Sequence, residues 1–323
     1  MKHVFVINPA AGKENPYETI KAALEALSTP VDYELYVTKG RGDATSFVKN
    51  YCESFRDAVR FYACGGDGTL NEVVNGVVGH PNASLGCYPS GSGNDFVKYY
   101  GGKEVFFNVE ELVGAEEESI DLMRVGDRYA INATHFGLDS CVAKVMMNVR
   151  RKKIIGGKNA YTTGVAVALI KGMRTACRVT VDGELLNPKG KILLCTVANG
   201  QYVGGSFRCA PRSLDNDGML EVCLVHCISH ITFARLVGVY TKGGHLEDPR
   251  FQKHIEYRRG RSVRIEAPEG FLYSFDGELI PDTDFTVEVV PAAIRFAVPA
   301  SAKPLPGDLH QPLKQPLDEA VTL

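Results

Sequence analysis

A chain of 323 residues is too long for one ordinary small domain, so two domains with separate cores are expected. With 45% hydrophobic and 23% charged residues and a formal net charge of −2, the composition is that of a globular protein without the overall basic signature of a nucleic-acid binder. No run approaches ~18 uninterrupted apolar residues, so no spanning helix is expected and any membrane contact is peripheral.

In chain order, "KHVFVIN" (2–8) reads as a strand stopped by Pro9. Asn15-Pro16 predicts an N-cap and first helical position, followed by helical spacing in "YETIKAALEALS". "DYELYVT" (32–38) is a second strand, broken by Gly40 and Gly42. Asp43 is then expected to cap the helix "ATSFVKNYCESF". "AVRFYAC" (58–64) is a third strand, running through a glycine loop into the helix "TLNEVVNGVV". "ASLGCYP" (83–89) is a fourth, followed by the loop "SGSGND" and the short helix "DFVKYY". Strand, loop and helix repeated predict an α/β fold with an open parallel sheet, which binds ligands beyond the carboxyl ends of its strands. Three small-residue loops, "NPAAGK", "GGDGT" and "SGSGND", would meet there in one crevice.

The grammar changes near residue 120. "IDLMRVGDRYAINATH" is strand, Gly126-Asp127 turn, strand, and helical stretches follow at about 139–153 and 159–172. Six further stretches, from "CRVTVDGELLN" to "DFTVEVVP", alternate as hairpin strands of a mostly antiparallel, sandwich-like second domain. The expected boundaries are 1–120 for the nucleotide-binding domain, joined by the C-terminal segment 290–323, and 121–289 for the β-rich domain. The tail after Pro299 is proline-rich and expected to be irregular.

Nine scattered cysteines, and an opening segment too soon broken by Asn8-Pro9 for a secretory signal, point to a reducing cytoplasm. Cys223, His226, Cys227 and His230 resemble a zinc set in spacing only. On a strand Cys223 and Cys227 face opposite to His226, so core cysteines are the expectation.

In "ACGGDGTLNEVV" (63–74), Gly65, Gly66 and Gly68 expose backbone N–H groups, and Thr69 opens a helix whose positive end favours anions. Asp67 would repel a bare phosphate. A nucleotide carrying Mg²⁺ removes the conflict; a tight turn in which Asp67 caps the helix is the alternative. The loop is neither a P-loop, since Glu14 follows Lys13, nor a dinucleotide fingerprint.

"GGDGTLNEVVNG" (65–76) resembles the diacylglycerol kinase catalytic-domain family, which includes sphingosine and ceramide kinases. "VINPAAGK", "YPSGSGNDF", "ID" at 120–121, "GLDS" at 137–140, "APRSLDNDGML" and "FDGE" at 275–278 match in the same order, over residues 3–299. The resemblance implies an ATP- and Mg²⁺-dependent lipid kinase, most similar to soluble bacterial members. It assigns the ATP site to Asn8, Pro9, Ala10, Ala11, Gly12, Thr38, Gly65, Gly66, Asp67, Gly68, Thr69, Leu70, Asn71 and Ser92, with Lys13 as a counter-charge. It implies a Mg²⁺ loop at Asp217 with Leu214 and Met219, for which Asp215 could substitute.

Two "DGE" triplets could carry the general base, Asp182-Gly183-Glu184 and Asp276-Gly277-Glu278, and each reads first as a hairpin turn. The resemblance selects the second, leaving Asp276 and Glu278 both open as the base. Arg150, Arg151, Lys152 and Lys153 beside two isoleucines suggest contact with an anionic membrane, with "RRGRSVR" (258–264) a weaker candidate. The expected acceptor is diacylglycerol, the alternatives a sphingoid base, ceramide or another lipid alcohol. A nucleotide-binding regulator without catalysis is the reading from another class. The family implies a homodimer, cytoplasmic or peripheral on the inner membrane face.

Overall fold

The first four strands are runs of buried, β-branched or aromatic residues, as expected of strands covered on both faces. They are β1 (Lys2–Ile7), β2 (Tyr33–Val37), β3 (Val59–Gly65) and β4 (Ala83–Pro89), paired in parallel in the order β4-β3-β1-β2. Between them lie α1 (Tyr17–Glu25), α2 (Asp43–Ser54) and α3 (Asp67–Val77). The computed structural model describes residues 1–12, 15–138, 140 and 173–305. The expected helical stretches at 139–153 and 159–172, Lys13, Asp139 of "GLDS", the Arg150–Lys153 patch and the tail beyond 305 lie outside them.

Three caps differ from expectation. α1 begins after Pro16, and the Asn15 side chain accepts the Tyr17 N–H at 3.1 Å. α2 is preceded by Gly42, while the Asp43 carboxylate turns back to accept the Lys39 N–H at 2.8 Å and the Tyr36 hydroxyl at 2.9 Å. α3 starts at Asp67, two residues early, and no side chain caps it.

After α4 (Val109–Gly114), strand β5 (Glu116–Val125) and β6 (Arg128–Ala130) form the expected hairpin, but the chain bends at Ile131–Asn132 into β7 (Ala133–Gly137). The bend carries it from the first sheet to a second. The remaining strands are β8 (Thr175–Ala176), β9 (Arg178–Val181), β10 (Glu184–Leu185), β11 (Lys191–Ile192), β12 (Leu194–Ala198) and β13 (Leu220–Val225). Helix α5 (His230–Thr241), which the strand pattern did not anticipate, follows a Ser229 cap that accepts the Thr232 N–H at 3.1 Å. Then come β14 (Ile255–Gly260), β15 (Ser262–Glu266), β16 (Leu272–Phe275), β17 (Glu278–Pro281) and β18 (Asp284–Val298).

Strand β18 joins the halves. It pairs antiparallel with β15 and β5 and, at Phe296, parallel with β4, so one ten-stranded sheet runs through the molecule. The second sheet, β14-β13-β12-β7-β16-β17, is antiparallel throughout. Val179, Ile265 and Phe285 of the first sheet pack on Phe136, Val222 and Tyr273 of the second. That is a sandwich, as expected. A separate core fills the parallel half around Phe5, Phe61, Tyr62 and Val73. Leu236 and Tyr240 of α5 cover the outer face of the second sheet beside Cys223, whose sulfur lies 3.7 Å from His245 Nε2. The described part of the tail runs along the Tyr99–Tyr100 backbone, where the Lys303 and Leu305 N–H groups donate to carbonyls.

Candidate active site

Parallel pairing brings the carboxyl ends of β1, β3 and β4 to one edge, and the three loops leaving them touch. A Cβ on Gly12, whose φ is +79°, would lie 2.2 Å from the Ser90 carbonyl oxygen. One on Gly91 would lie 2.3 Å from the Gly66 Cα. The side chains at these positions are missing because the loops pack backbone against backbone.

Asp67 answers for its own place. Its Oδ1 accepts the Asp95 N–H at 2.6 Å and its Oδ2 the Asn94 N–H at 2.8 Å. The carboxylate holds the "SGSGND" loop and does not cap α3. Burial and the neighbouring Asp95 raise its pKa, and the two amides oppose that rise. The first-turn N–H groups of α3 therefore have no side-chain cap, an arrangement suited to an anion. Asn8 crosses to the helix, donating to Thr69 Oγ1 at 3.0 Å.

These loops wall a cavity of about 910 Å³. Every residue expected to contact the nucleotide lines it except Gly65 and Leu70, which lie beneath the loop. A Cβ on Gly65 would strike Thr69 Oγ1 at 2.3 Å, so that glycine serves packing. Gly68 differs: it is exposed, and its missing Cβ would meet nothing within 4 Å.

The opposite wall is the turn between β16 and β17. Both "DGE" triplets are hairpin turns with left-handed backbones, φ 46° at Asp182 and 45° at Asp276. Both aspartates also hold backbone: Asp182 accepts the Arg261 and Ser262 N–H groups. Location separates them, because only the second triplet lines the cavity.

Asp276 and Glu278 divide sharply. Asp276 Oδ1 accepts the Asn132 and Ala133 N–H groups at 3.1 and 3.0 Å, and Oδ2 accepts the Ile131 N–H at 2.8 Å and Asn71 Nδ2 at 3.0 Å. Burial pushes its pKa up to about 6 against these four donors. With two bonds on each oxygen its in-plane lone pairs are all taken. Glu278 is exposed to the cavity, and its Oε1 pairs with Arg41 and lies 3.9 Å from Arg128 Nη1. Sequence reasoning missed both arginines. The signal for Arg41 was a cation between two glycines, "KGRGD", straight after the strand that carries Thr38.

The loop expected to take Mg²⁺ is tied down from several sides. Asp121 Oδ2 accepts the Gly218 N–H at 2.6 Å, and its Oδ1 the Ala292 N–H at 2.8 Å in the bulge of β18. Asp215 is paired with the Tyr100 hydroxyl. Asp217 accepts the Met219 N–H at 3.0 Å on Oδ1 and pairs with Arg259 through Oδ2. One carboxylate with two carbonyls suits Mg²⁺ by donor type, but an ion there competes with the guanidinium for Oδ2. Among the described residues no cluster of three His, Cys, Asp or Glu side chains is arranged around a metal position.

Two stretches of the chain, residues 2–125 and 132–298, match known families. The first stretch matches the diacylglycerol kinase catalytic domain, the second the YegS C-terminal NAD kinase beta sandwich-like domain. The chain belongs to the diacylglycerol kinase family. Its relatives include the diacylglycerol kinase of Bacillus subtilis, 29% identical over 287 residues that cover 86% of this chain and 90% of the relative. A crystal structure of a diacylglycerol kinase from Bacillus anthracis aligns with a TM-score of 0.67 at 20% identity, over 93% of this chain and 98% of that one. A second Bacillus anthracis structure reaches 0.71 at 21% identity, over 94% and 98%. At such identities the structures speak for the fold alone. As a kinase family, it uses ATP. No helix among the described residues of this diacylglycerol kinase-like chain is long and apolar enough to cross a membrane.

Proposed function

We propose that the chain is an ATP- and Mg²⁺-dependent lipid kinase that phosphorylates diacylglycerol to phosphatidate. The observation that carries this reading is the shared cavity: an uncapped helix N-terminus on one wall and the exposed Glu278 on the other.

The triphosphate of Mg–ATP sits on the first-turn amides of α3, with the Asn8–Gly12 and Ser92 loops at its sides. The metal travels with the nucleotide as part of the substrate. Glu278 takes the proton of the acceptor hydroxyl as its oxygen bonds to the γ-phosphorus and the bond to the β-phosphate oxygen breaks, releasing ADP. Glu278 is favoured over Asp276 because its carboxylate is not saturated by backbone donors. Asp276 positions the turn that presents it. Arg41 and Arg128 hold Glu278 and add positive charge where the transferring phosphoryl gathers negative charge. A resident Mg²⁺ at Asp217, with the Leu214 and Met219 carbonyls, would stiffen its loop once Arg259 lets go, without touching substrate.

The test is labelled ATP with mixed micelles of diacylglycerol, ceramide, sphingoid base and other lipid alcohols. Label in phosphatidate is expected. Label only in a sphingolipid would move the acceptor, and label only in a soluble alcohol would overturn the lipid assignment.

A further inference from the structure

A second cavity, of about 560 Å³, lies at the far end of the antiparallel sheet. Strands β7 and β13 fix its place. Ala133, whose N–H holds Asp276, pairs with Ala198 and through it with Glu221, at the cleft end. Gly137, Leu194 and Val225 pair at the other end, and His226 and Cys227, which line the second cavity, follow directly. Four residues of strand, ~3.3 Å each, separate the two ends.

The lining is basic and built from four separate segments. Arg174, Lys189, Lys191 and Lys253 all face it, and none is paired with a carboxylate among the described residues. Glu256, the acidic group on the wall, is engaged with His226 at 3.6 Å and Arg258 at 3.2 Å. Elsewhere surface arginines pair readily, as Arg124 does with Glu288 and Arg264 with Asp284. Four unpaired cations around one concavity, in a chain of net charge −2, are therefore not a by-product of a basic surface.

The presenting loops are stiff. Asn187 is buried, its Oδ1 accepts the Val179 N–H at 2.8 Å, and its Nδ2 donates to the Cys177 carbonyl at 2.8 Å. The Gly190 N–H closes the turn on the Asn187 carbonyl at 2.8 Å, setting Lys189 and Lys191 on either side. Across the cavity the His226 N–H donates to the His254 carbonyl at 2.8 Å, fixing the segment that carries Lys253.

We propose that this cavity is a phosphomonoester-binding site, distinct from the nucleotide cleft. A dianionic phosphate answers several unpaired cations at once, and the arginine fork suits its oxygens. The volume leaves room for the glycerol or headgroup that bears it. The proposal does not depend on which lipid the cleft phosphorylates.

The experiment compares wild type with Lys189→Glu/Lys191→Glu, and with Lys21→Glu/Lys49→Glu as a control of equal charge on α1 and α2. Each is tested for co-sedimentation with phosphatidylcholine vesicles with and without phosphatidate, and for calorimetric binding of soluble glycerol phosphate. Wild type and control should bind at least one phosphate probe, and the cavity variant should bind it more weakly by about 10-fold or more. Binding of glycerol phosphate identifies a soluble ligand; binding of phosphatidate vesicles alone identifies a lipid headgroup. ATP affinity should be equal in all three, so a dead nucleotide site would be recognised separately. Failure of wild type to bind either probe, or equal losses in both variants, overturns the site.

Discussion

Asn71 on α3 donates its side-chain amide to Asp276 Oδ2 at 3.0 Å, tying that helix to the turn that presents Glu278. The same amide reaches the Tyr129 carbonyl at 2.9 Å, and Asn75 one turn later bonds both Asn71 and Tyr129. One asparagine pair thus sets the distance between the two walls of the cleft. Asp276→Ala should orphan four donors and cost about 3 kcal/mol or more in stability, with activity lost alongside. Glu278→Gln should lower kcat by roughly 10²–10⁴-fold while the unfolding free energy stays within about 0.5 kcal/mol of wild type. Urea unfolding beside steady-state kinetics reads both, and a crossed pattern would exchange the two roles.

Gly68 sits in the first turn of a helix with ordinary backbone angles and open space where its side chain would be. Neither fold nor packing asks for glycine, which costs about 0.5–1 kcal/mol against alanine in a helix. The remaining reason is close approach by a ligand. Gly68→Ala should be as stable as wild type or more so. It should bind ATP roughly 10- to 150-fold more weakly, by loss of a charge-assisted bond of about 1.5–3 kcal/mol. Calorimetry with ATP decides it; unchanged affinity would place the phosphates elsewhere.

Asp67 acts as a clasp before any nucleotide arrives. Asp67→Asn puts an amide NH₂ against one of two backbone donors. Exchange of the Asn94 and Asp95 amide hydrogens should then speed up by about tenfold or more in the nucleotide-free protein, with or without Mg²⁺. A change seen only with Mg²⁺ would return Asp67 to the role of metal ligand.

At Asp217, the proposed Mg²⁺ would compete with Arg259 for one oxygen. Arg259→Gln should therefore let Mg²⁺ raise the melting temperature of nucleotide-free protein at a lower concentration than wild type requires. Asp217→Asn should remove the Mg²⁺ response. A response that survives Asp217→Asn would come from another site.

The parallel half was legible because each loop there ends a buried, β-branched run and starts a helix, a local pattern. Contacts that decide roles are not local. Asp276 and Asp182 share the triplet Asp-Gly-Glu, the hairpin turn and the left-handed backbone, so residue pattern alone did not separate them; the cavity behind Asp276 does. The bend at Ile131–Asn132 was hidden for the same reason: its backbone N–H groups are satisfied by a carboxylate 144 and 145 residues away. Helix α5 lies in a stretch between two expected strands to which no element was assigned; the Ser229 cap ahead of it was the available clue.

His3 is buried at the start of β1, with Nδ1 2.8 Å from the Tyr62 hydroxyl. Burial, helped by the nearby Arg60 guanidinium, lowers its pKa to about 4. The folded protein keeps the ring neutral, whereas the unfolded chain takes up a proton below its ordinary value of 6.5. The stability from this residue is therefore complete above about pH 6.5 and is lost as pH falls towards 4, in total about 3 kcal/mol. His3→Gln keeps a hydrogen-bonding group and cannot titrate. Its stability difference from wild type should shrink by that amount between pH 7 and pH 4, measured by urea unfolding at each pH. Parallel curves for the two proteins would mean that the imidazole titrates alike in the folded and unfolded chain, without the lowered pKa.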